Sequence, residues 1–392
     1  MATNTAVRNE MTEYWDQGFL AAEARPGAFY DLKKLPAITQ ASHYRRMALL
    51  DGLPLGDLSD KVVVDYGVGP WGFACVFPRL HACREAIGID LSPEAVRISD
   101  QLSRAQAFPY GDRFRYLTST GSMIDLPDHS VDVVFAGESI EHVFNVPAFL
   151  DEVHRVLVPG GTFIVTTPNA DAVLYKAHGE RYCHNAEHVS LMTYGELRGL
   201  VERRFTVTLA KGFNGSFYRT LDAVADEAFA EAWANSFEDR PDLATGVILM
   251  ATSRPGPAAP RVRETDIAHT DPAVTYSGEW ATCTLHGPLT AAVAKGPESR
   301  LTIPFEGDGL IVFLWSHPWC SRVRMWVDGV LVERAVYSPV SGFVQQRWLD
   351  LAPGRHTLEM AASDALEPDA RGRNLMFWKA IAVDRGGVAA AG

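Results

Sequence analysis

The chain has 392 residues, of which 47% are hydrophobic and 21% charged, and it carries a formal net charge of −12. This length allows two domains with independent cores, and the composition is that of a globular protein rather than a disordered one. The acidic excess disfavours nonspecific binding to nucleic acid or anionic membranes, since both are negatively charged. The five cysteines form no C-x-x-C pair, and no apolar run suits a signal peptide or a membrane span. We therefore expect a cytoplasmic protein without membrane insertion.

A run of β-branched residues that ends in an acid marks the first strand. Val62-Val63-Val64-Asp65 is typical of a buried strand, and the glycine-spaced turn Tyr66-Gly67-Val68-Gly69 follows it directly. Because glycine has no Cβ, the backbone can bend sharply there and a ligand can come close. A helix-compatible apolar run over 73–80 comes next. The stretch predicts the strand–turn–helix unit of a doubly wound α/β domain, in which ligands bind beyond the carboxyl ends of the strands.

The second predicted strand, 85–90, ends in another acid. Asp90 lies about 25 residues after Asp65, a position that suits hydrogen bonding to a ribose diol. Two features argue against a dinucleotide as the ligand. The glycines do not follow the G-x-G-x-x-G spacing strictly, and Pro70 and Trp71 fill the turn where a pyrophosphate would need bare backbone amides. After Asp90, Ser92 suits the N-cap of a helix.

The rest of the first domain alternates strands and helices, which predicts a mostly parallel sheet. Helix 147–157 has an apolar face and ends at the turn Pro159-Gly160-Gly161. A helical insertion over 213–243 precedes the last strand. Further strands are predicted at 113–118, 131–136, 162–167, 205–210 and 247–251, and a further helix at 195–204.

These motifs resemble those of the class I S-adenosylmethionine (SAM)-dependent methyltransferases over residues 40–255. Asp65-Tyr66-Gly67-Val68-Gly69 is similar to their first motif, Gly88-Ile89-Asp90-Leu91-Ser92 to their second, and Pro159-Gly160-Gly161 to a later turn. The resemblance implies a Rossmann-like domain over 46–254 and an N-terminal cap segment over 1–45. Packing of the cap's aromatic residues against the sheet is the alternative for that segment.

The resemblance also implies a set of residues that bind SAM. Gly67 and Gly69 would lie beside its methionine part, and Asp90 would bind its ribose. The family's acid near the adenine is replaced here by Ser122, which leaves the adenine contacts open. The residues implied to bind the cofactor are Asp65, Gly67, Gly69, Asp90, Leu91, Ser122, Met123 and Gly137.

An E-x-x-E-H run, Glu138 to His142, follows the fourth strand at the edge where the cofactor is expected. On a helical turn, Glu138 would lie beside Glu141 and His142, because these spacings share one face. Carboxylates and imidazoles suit a divalent cation such as Mg²⁺, Mn²⁺ or Zn²⁺. His188, in the loop after the fifth strand, is the expected fourth ligand, with His184 in reserve. His142 and His188 are also the candidate catalytic bases.

This run resembles two groups of methyltransferases. One is the small-RNA 2′-O-methyltransferases, which combine E-x-x-E-H with a later T-P-N, here Thr167-Pro168-Asn169, and a late histidine, here His188. The other is the ubiquinone-pathway O-methyltransferases. The first resemblance implies that a metal grips a vicinal diol of the acceptor. Contact with substrate or cofactor without a metal, or a structural role, are the alternatives.

The sequence changes character beyond residue 254. A proline- and glycine-rich linker over 255–263 precedes short strands separated by turns, which predict a β-sandwich over 264–392. This part loosely resembles jelly-roll modules found beside carbohydrate-active enzymes, which implies carbohydrate binding. Four aromatic residues could form a platform for a sugar or could belong to the core: Trp315, His317, Trp319 and Trp348.

Together these patterns predict a SAM-dependent O-methyltransferase whose acceptor is a sugar hydroxyl of a glycan or glycosylated natural product. Alternatives are a metal-independent methyltransferase of a phenolic or lipid-like molecule, an RNA 2′-O-methyltransferase and an inactive scaffold with the same fold. The acidity of the chain disfavours RNA. Assembly into a homo-oligomer stays open.

Overall fold

The computed structural model describes residues 37–69, 83–105, 113–119, 122–172, 187–214, 227–258, 261–286, 289–339 and 341–386. The chain divides into two compact units. We call the first the α/β unit; its described residues lie between 37 and 172 and between 192 and 258. The second, the sandwich unit, contains the described residues 187–191 and those between 261 and 386. The sequence patterns did not indicate that 187–191 would join the second unit.

The α/β unit is built on a seven-stranded sheet with the order β3-β2-β1-β4-β5-β7-β6. Strands β1 to β5 run parallel, and β7 is antiparallel to both of its neighbours. This confirms the predicted Rossmann-like, mostly parallel sheet. The strand order reverses between β1 and β4, which is the point where ligands bind in such sheets. The strands are β1 Val62–Tyr66, β2 Glu85–Asp90, β3 Phe114–Thr118, β4 Val131–Gly137, β5 Leu157–Pro168, β6 Phe205–Phe213 and β7 Gly246–Ser253.

Two helices of this unit begin at side-chain caps that the sequence supplies. Ser92 accepts a hydrogen bond from the amide of Ala95, as predicted, and Asn145 accepts one from Ala148. The predicted helix 147–157 ends at Val156, and β5 already begins at the next residue. The described helices are α1 Ala37–Asp51, α2 Pro93–Ala105, α3 Val146–Val156, α4 Tyr194–Val201 and α5 Glu227–Asn235.

The core of this unit lies on both faces of the sheet. All five residues of β1 are buried. Val62 and Val64 pack into one cluster with Phe149 of α3, whereas Val63 packs into the opposite cluster with Leu50 of α1. Burial on both faces explains why the strand reads as a continuous apolar run instead of an alternating one.

The sandwich unit consists of two antiparallel sheets that share one core. Strands β8, β10, β11, β13, β16 and β18 form one sheet, and β9, β12, β14, β15 and β17 form the other. Leu301 and Leu358 of one sheet and Val312 and Phe377 of the other lie in the same buried cluster. The all-β second part is therefore confirmed. The strands are β8 Arg263–Ala268, β9 Thr275–Ser277, β10 Trp280–His286, β11 Leu289–Ala294, β12 Arg300–Gly307, β13 Gly309–Ser316, β14 Arg322–Val327, β15 Val330–Ala335, β16 Gly342–Trp348, β17 Gly354–Ala362 and β18 Leu375–Asp384.

The register of β13 and β16 corrects the hypothesis of a single aromatic platform. Trp315 pairs with Phe343, whereas Trp348, at the other end of β16, pairs with Leu310. Five residues of strand separate the two pairs by roughly 17 Å. Trp315 is buried and packs edge-on against Phe343, with ring centroids 4.8 Å apart, which is the core role. Trp319 is 49% exposed.

The described helices include none that combines the length and the apolar character needed to span a bilayer.

Candidate active site

The turn after β1 has a conformation that requires glycine. Gly67 and Gly69 have φ values of +76° and +59°, in the left-handed region. A Cβ on Gly67 would lie 2.4 Å from the Cβ of Ser139, so no side chain fits there. The amides of Gly67 and Val68 donate to the carbonyl of Ile89, at 2.7 and 3.1 Å. These contacts hold the turn against the end of β2.

Asp90 joins the turn to the start of α2. Its Oδ2 accepts from the amide of Gly69 at 2.8 Å, and its Oδ1 accepts from the amide of Ser92 at 2.9 Å. A carboxylate can accept several hydrogen bonds at once, which suits binding of a ribose diol. Leu91, the next predicted cofactor residue, lies between Asp90 and Ser92 in the chain and is half-buried.

Asp65 is a buried acid at the carboxyl end of β1. It is 3% exposed, and its Oδ2 has no hydrogen-bond partner among the described residues. Burial, together with the nearby charge of Asp90, raises its pKa from 3.8 to about 7. A buried polar atom without a partner is costly, and such groups concentrate at ligand sites. The site therefore fits a ligand with a cationic donor, which the ammonium group of SAM would supply.

The segment predicted to lie near the adenine is tied to the same edge of the sheet. Ser122 is buried and Met123 half-buried. The hydroxyl of Ser119 donates to the carbonyl of Met123 at 3.0 Å, and the amide of Ser119 donates to the carbonyl of Asp90 at 2.7 Å. The residues proposed for the adenine and the ribose are thus linked through Ser119.

The E-x-x-E-H run departs from the expected helical turn. Gly137 ends β4, and Glu138 then takes a left-handed φ of +50°; the short 3-10 helix begins only at Ile140. The carboxylate of Glu138 lies 3.7 Å from the Nη1 of Arg46 on α1, and its buried Oε1 accepts no hydrogen bond from the described residues. Glu138 therefore faces a cation supplied by the protein.

Glu141 and His142 lie on the 3-10 helix Ile140–His142. Glu141 is 1% exposed, and its Oε2 accepts from the hydroxyl of Thr167 at 2.9 Å. His142 beside it is half-buried. The 3-10 helix after β4 therefore places a carboxylate and an imidazole at the carboxyl edge of the sheet, and Thr167 near the end of β5 binds the carboxylate.

Asn169, the last residue of the T-P-N run, is a fully buried scaffold residue. Its Nδ2 donates to the carbonyl of Ala244 at 2.9 Å, and its Oδ1 accepts from the amide of Tyr194 at 3.0 Å. It joins the end of β5 to the start of α4 and to the loop before β7. This explains why an asparagine follows the strand without requiring a catalytic role for it.

His188 belongs to the short segment of the sandwich unit formed by residues 187–191, and it is half-buried. The Nε2 of Gln345, on β16, donates to the carbonyl of Val189 at 2.7 Å and to the hydroxyl of Ser190 at 2.6 Å. These bonds fix the backbone next to His188. The reserve ligand His184 lies outside the described residues.

Two features of the edge escaped the sequence patterns. Arg46 stood among the aromatic and polar residues before the first strand, and nothing local linked it to Glu138. Glu152 and Arg155 on α3 read as polar positions of an amphipathic helix, yet both are almost fully buried. Their three-residue spacing could have indicated an ion pair, but nothing in the local sequence indicated that the pair would be buried.

Comparison with known proteins identifies the domain that carries this edge. Residues 64–165 match the family described as methyltransferase domain. The chain is 27% identical over 203 residues to a sterol 24-C-methyltransferase of Eremothecium gossypii, covering 52% of this chain and 50% of that protein. A probable SAM-dependent methyltransferase of Mycolicibacterium smegmatis is 34% identical over 157 residues, 38% of this chain and 60% of that protein.

A tocopherol O-methyltransferase of Arabidopsis thaliana is 26% identical over 170 residues, covering 41% of this chain and 47% of that protein. The chain spans about half the length of the curated relatives it matches. The match to the methyltransferase family runs from within β1 to within β5, inside the region that the sequence predicts to be a methyltransferase domain.

Proposed function

We propose that this protein transfers a methyl group from SAM to a small organic acceptor. The observation that supports this most is the buried Oδ2 of Asp65, at the switch point of a sheet whose sequence matches methyltransferases. This oxygen has no hydrogen-bond partner among the residues that the structure describes. SAM, when bound, supplies an activated methyl group on a sulfonium. The protein then has to align the acceptor with that group, which is worth a large part of the barrier.

The proposed cofactor contacts follow from the geometry of this edge. Asp65 would accept a hydrogen bond from the ammonium group, and Asp90 would accept bonds from the ribose hydroxyls. Gly67 and Gly69 leave space beside the methionine part, because neither carries a side chain. Ser122 and Met123 lie on the adenine side, while Leu91 and Gly137 line the ends of β2 and β4.

Substitution of Asp90 tests the cofactor site. We expect Asp90→Ala to weaken SAM binding at least tenfold in calorimetry, since it removes the ribose acceptors and the anchor of the Gly69 amide. Asp132→Ala is the matched control, because Asp132 accepts from the amide of Val62 at the opposite end of the sheet, at 2.9 Å. It should alter stability and leave SAM affinity unchanged. Equal affinities of wild type and Asp90→Ala would remove Asp90 from the site.

For the acceptor we propose a hydroxyl group on a sugar. In the transfer, the acceptor oxygen forms a bond to the methyl carbon, the carbon–sulfur bond breaks, and the hydroxyl proton passes to a base. His142 and His188 are the proposed bases, because imidazole titrates near neutral pH. S-adenosylhomocysteine leaves as the product.

A divalent cation would help such a weak acid to react. Glu141, His142 and His188 are its proposed ligands, a set of oxygen and nitrogen donors that suits Mg²⁺, Mn²⁺ or Zn²⁺. A bound cation lowers the pKa of a hydroxyl and fixes its position. Glu138 fits this set poorly, because the guanidinium of Arg46 already occupies its neighbourhood.

Chelation tests the metal proposal. We expect EDTA and Glu141→Gln each to abolish turnover and to leave SAM binding nearly unchanged, because the proposed ligands act on the acceptor. Glu196→Gln, which alters the capping box of α4, is the control for lost stability. Full turnover in EDTA would exclude the metal and leave the histidines as bases without one.

A second candidate is methylation of a phenolic or lipid-like acceptor without a metal. Two similar proteins, a sterol 24-C-methyltransferase and a tocopherol O-methyltransferase, favour it. Turnover measured on pairs of acceptors, each with and without its sugar, separates the two. Methylation that requires the sugar supports the first proposal, and equal turnover of both members supports the second.

A further inference from the structure

A buried ion pair on α3 lies outside the residues assigned to the cofactor. Glu152 and Arg155 are 4% and 3% exposed. The Nε and Nη2 of Arg155 lie 2.8 and 2.9 Å from the two carboxylate oxygens of Glu152, so the pair is bidentate. Charges buried this deeply destabilise a fold unless their remaining hydrogen-bonding positions are filled. The partners that fill those positions therefore indicate what the pair holds.

Those partners belong to the segment that follows the proposed adenine residues. Arg155 donates to the carbonyl of Ile124 at 2.8 Å and to the carbonyl of Leu126 at 2.9 Å, and it also pairs with Asp128. The Oε2 of Glu152 accepts from the amide of Ile124 at 3.1 Å. One ion pair thus holds both backbone polar groups of Ile124.

Ile124 directly follows Ser122 and Met123 in the chain. The segment is held at its other side by Ser119, whose hydroxyl donates to the carbonyl of Met123. The backbone from 122 to 124 is consequently fixed between β3 and α3. Its freedom to shift depends on the side chains of Ser119, Glu152 and Arg155, and none of these needs to touch a ligand.

We propose that Glu152 and Arg155 are positioning residues that set the backbone of 122–124 for the adenine side of the cofactor. This inference rests on the proposed function only in taking SAM as the ligand. The pair acts through the Ile124 backbone and makes no contact with the reacting atoms. Its loss therefore weakens cofactor binding by allowing the segment to move.

Arg155→Lys is the central variant. Lysine keeps the charge beside Glu152 but lacks the planar fork that reaches two carbonyls at once. Arg204→Lys is the matched control, because Arg204 pairs with Asp151 on the same helix at 2.6 Å. We expect Arg155→Lys to weaken binding of S-adenosylhomocysteine by roughly tenfold, since small misplacements at such sites are costly. We expect the affinity of Arg204→Lys for S-adenosylhomocysteine to remain within twofold of wild type. The thermal midpoints of the two variants should be comparable.

Hydrogen exchange provides a readout that does not depend on the ligand. In Arg155→Lys, the peptide containing the amide of Ile124 should exchange faster than in wild type, whereas a peptide within α4 should not. Glu152→Gln, which conserves shape, is the second variant in case the first does not fold. Faster exchange at Ile124 with unchanged affinity would overturn the positioning role, as would unchanged exchange. A wild-type protein that binds neither SAM nor S-adenosylhomocysteine would overturn the proposed function, and the exchange result would still test the grip on Ile124.

Discussion

Asp65 has a protonation state that couples stability to the cofactor. Its pKa is raised from 3.8 to about 7, first by burial and then by the charge of Asp90. A raised carboxyl pKa means that the folded protein prefers the neutral acid. The associated stability is fully present below pH 3.8 and is lost progressively as the pH rises through about 7. At neutral pH, the carboxyl group of Asp65 is therefore poised to ionise when a cationic ligand binds.

Asp65→Asn should raise the stability of the protein and lower its affinity for SAM. We expect its free energy of unfolding to exceed that of wild type by an amount that grows between pH 3.8 and about pH 7 and is then constant, on the order of a few kcal/mol. Urea unfolding across this pH range measures it, with the exposed Asp60→Asn as control. SAM affinity should fall in the same variant. A difference from wild type that does not vary with pH would contradict the raised pKa.

The hairpin of β14 and β15 shows how a turn and a neighbouring strand share one stabilising contact. Asp328 and Gly329 form the turn, both with left-handed φ values of +49° and +80°. The carboxylate of Asp328 accepts from the amide of Thr357 on β17 and faces the Nδ1 of His356. The hydrogen bond from His356 holds the pKa of Asp328 below its usual value. Burial alone would lower the pKa of His356, but Asp328 and the carbonyl of Ala352 raise it overall.

This pair predicts a window of maximal stability for the sandwich unit. The contribution of Asp328 is present above pH 3.8 and is lost as the pH falls through its lowered pKa. That of His356 is present below pH 6.5 and is lost as the pH rises through its raised pKa. We expect His356→Asn to remove the decline above pH 6.5 in thermal unfolding of the full chain. His317→Asn is the control, because it removes another histidine of the same unit and leaves the contact between Asp328 and His356 intact. A wild-type profile that stays flat from pH 6 to 9 would contradict this contact.

One short segment of the sandwich unit carries the proposed base His188. Gln345 of β16 binds the backbone of Val189 and Ser190, next to the proposed base His188. The appended unit therefore supports a residue that the sequence placed in the loop of the other domain.

Gln345→Leu should separate this support from cofactor binding. It replaces the amide with an apolar side chain of similar size on the buried face and removes both bonds to the segment. We expect turnover to fall about tenfold, with SAM affinity unchanged, because the proposed cofactor residues all belong to the α/β unit. Gln346→Leu is the control, since adjacent strand residues point to opposite faces. Equal turnover of the two variants would remove His188 from the reaction.

Local patterns in the chain were sufficient for the architecture and for locating the edge at which we propose that the cofactor binds. Strand β1 and its turn follow from three β-branched residues and two glycines, whose backbone preferences act within a few residues. The alternation of strands and helices then predicts a parallel sheet, and such a sheet brings Asp65, Asp90 and Gly137 to one edge. The change to short strands after residue 254 likewise predicted the all-β unit.

The chemistry of individual side chains was decided by contacts between distant parts of the chain. Gln345 binds the carbonyl of Val189 across 156 positions, and the guanidinium of Arg46 reaches Glu138 from a helix before the first strand. The pKa of Asp65 depends on burial and on the charge of Asp90. The proposed role of Arg155 depends on the backbone carbonyls of Ile124 and Leu126, about 30 residues earlier in the chain. Periodicity predicts which face of an element is apolar, but it does not predict which residues pack against that face. Charge pairing and burial are set only when the elements pack, because both depend on distance in space.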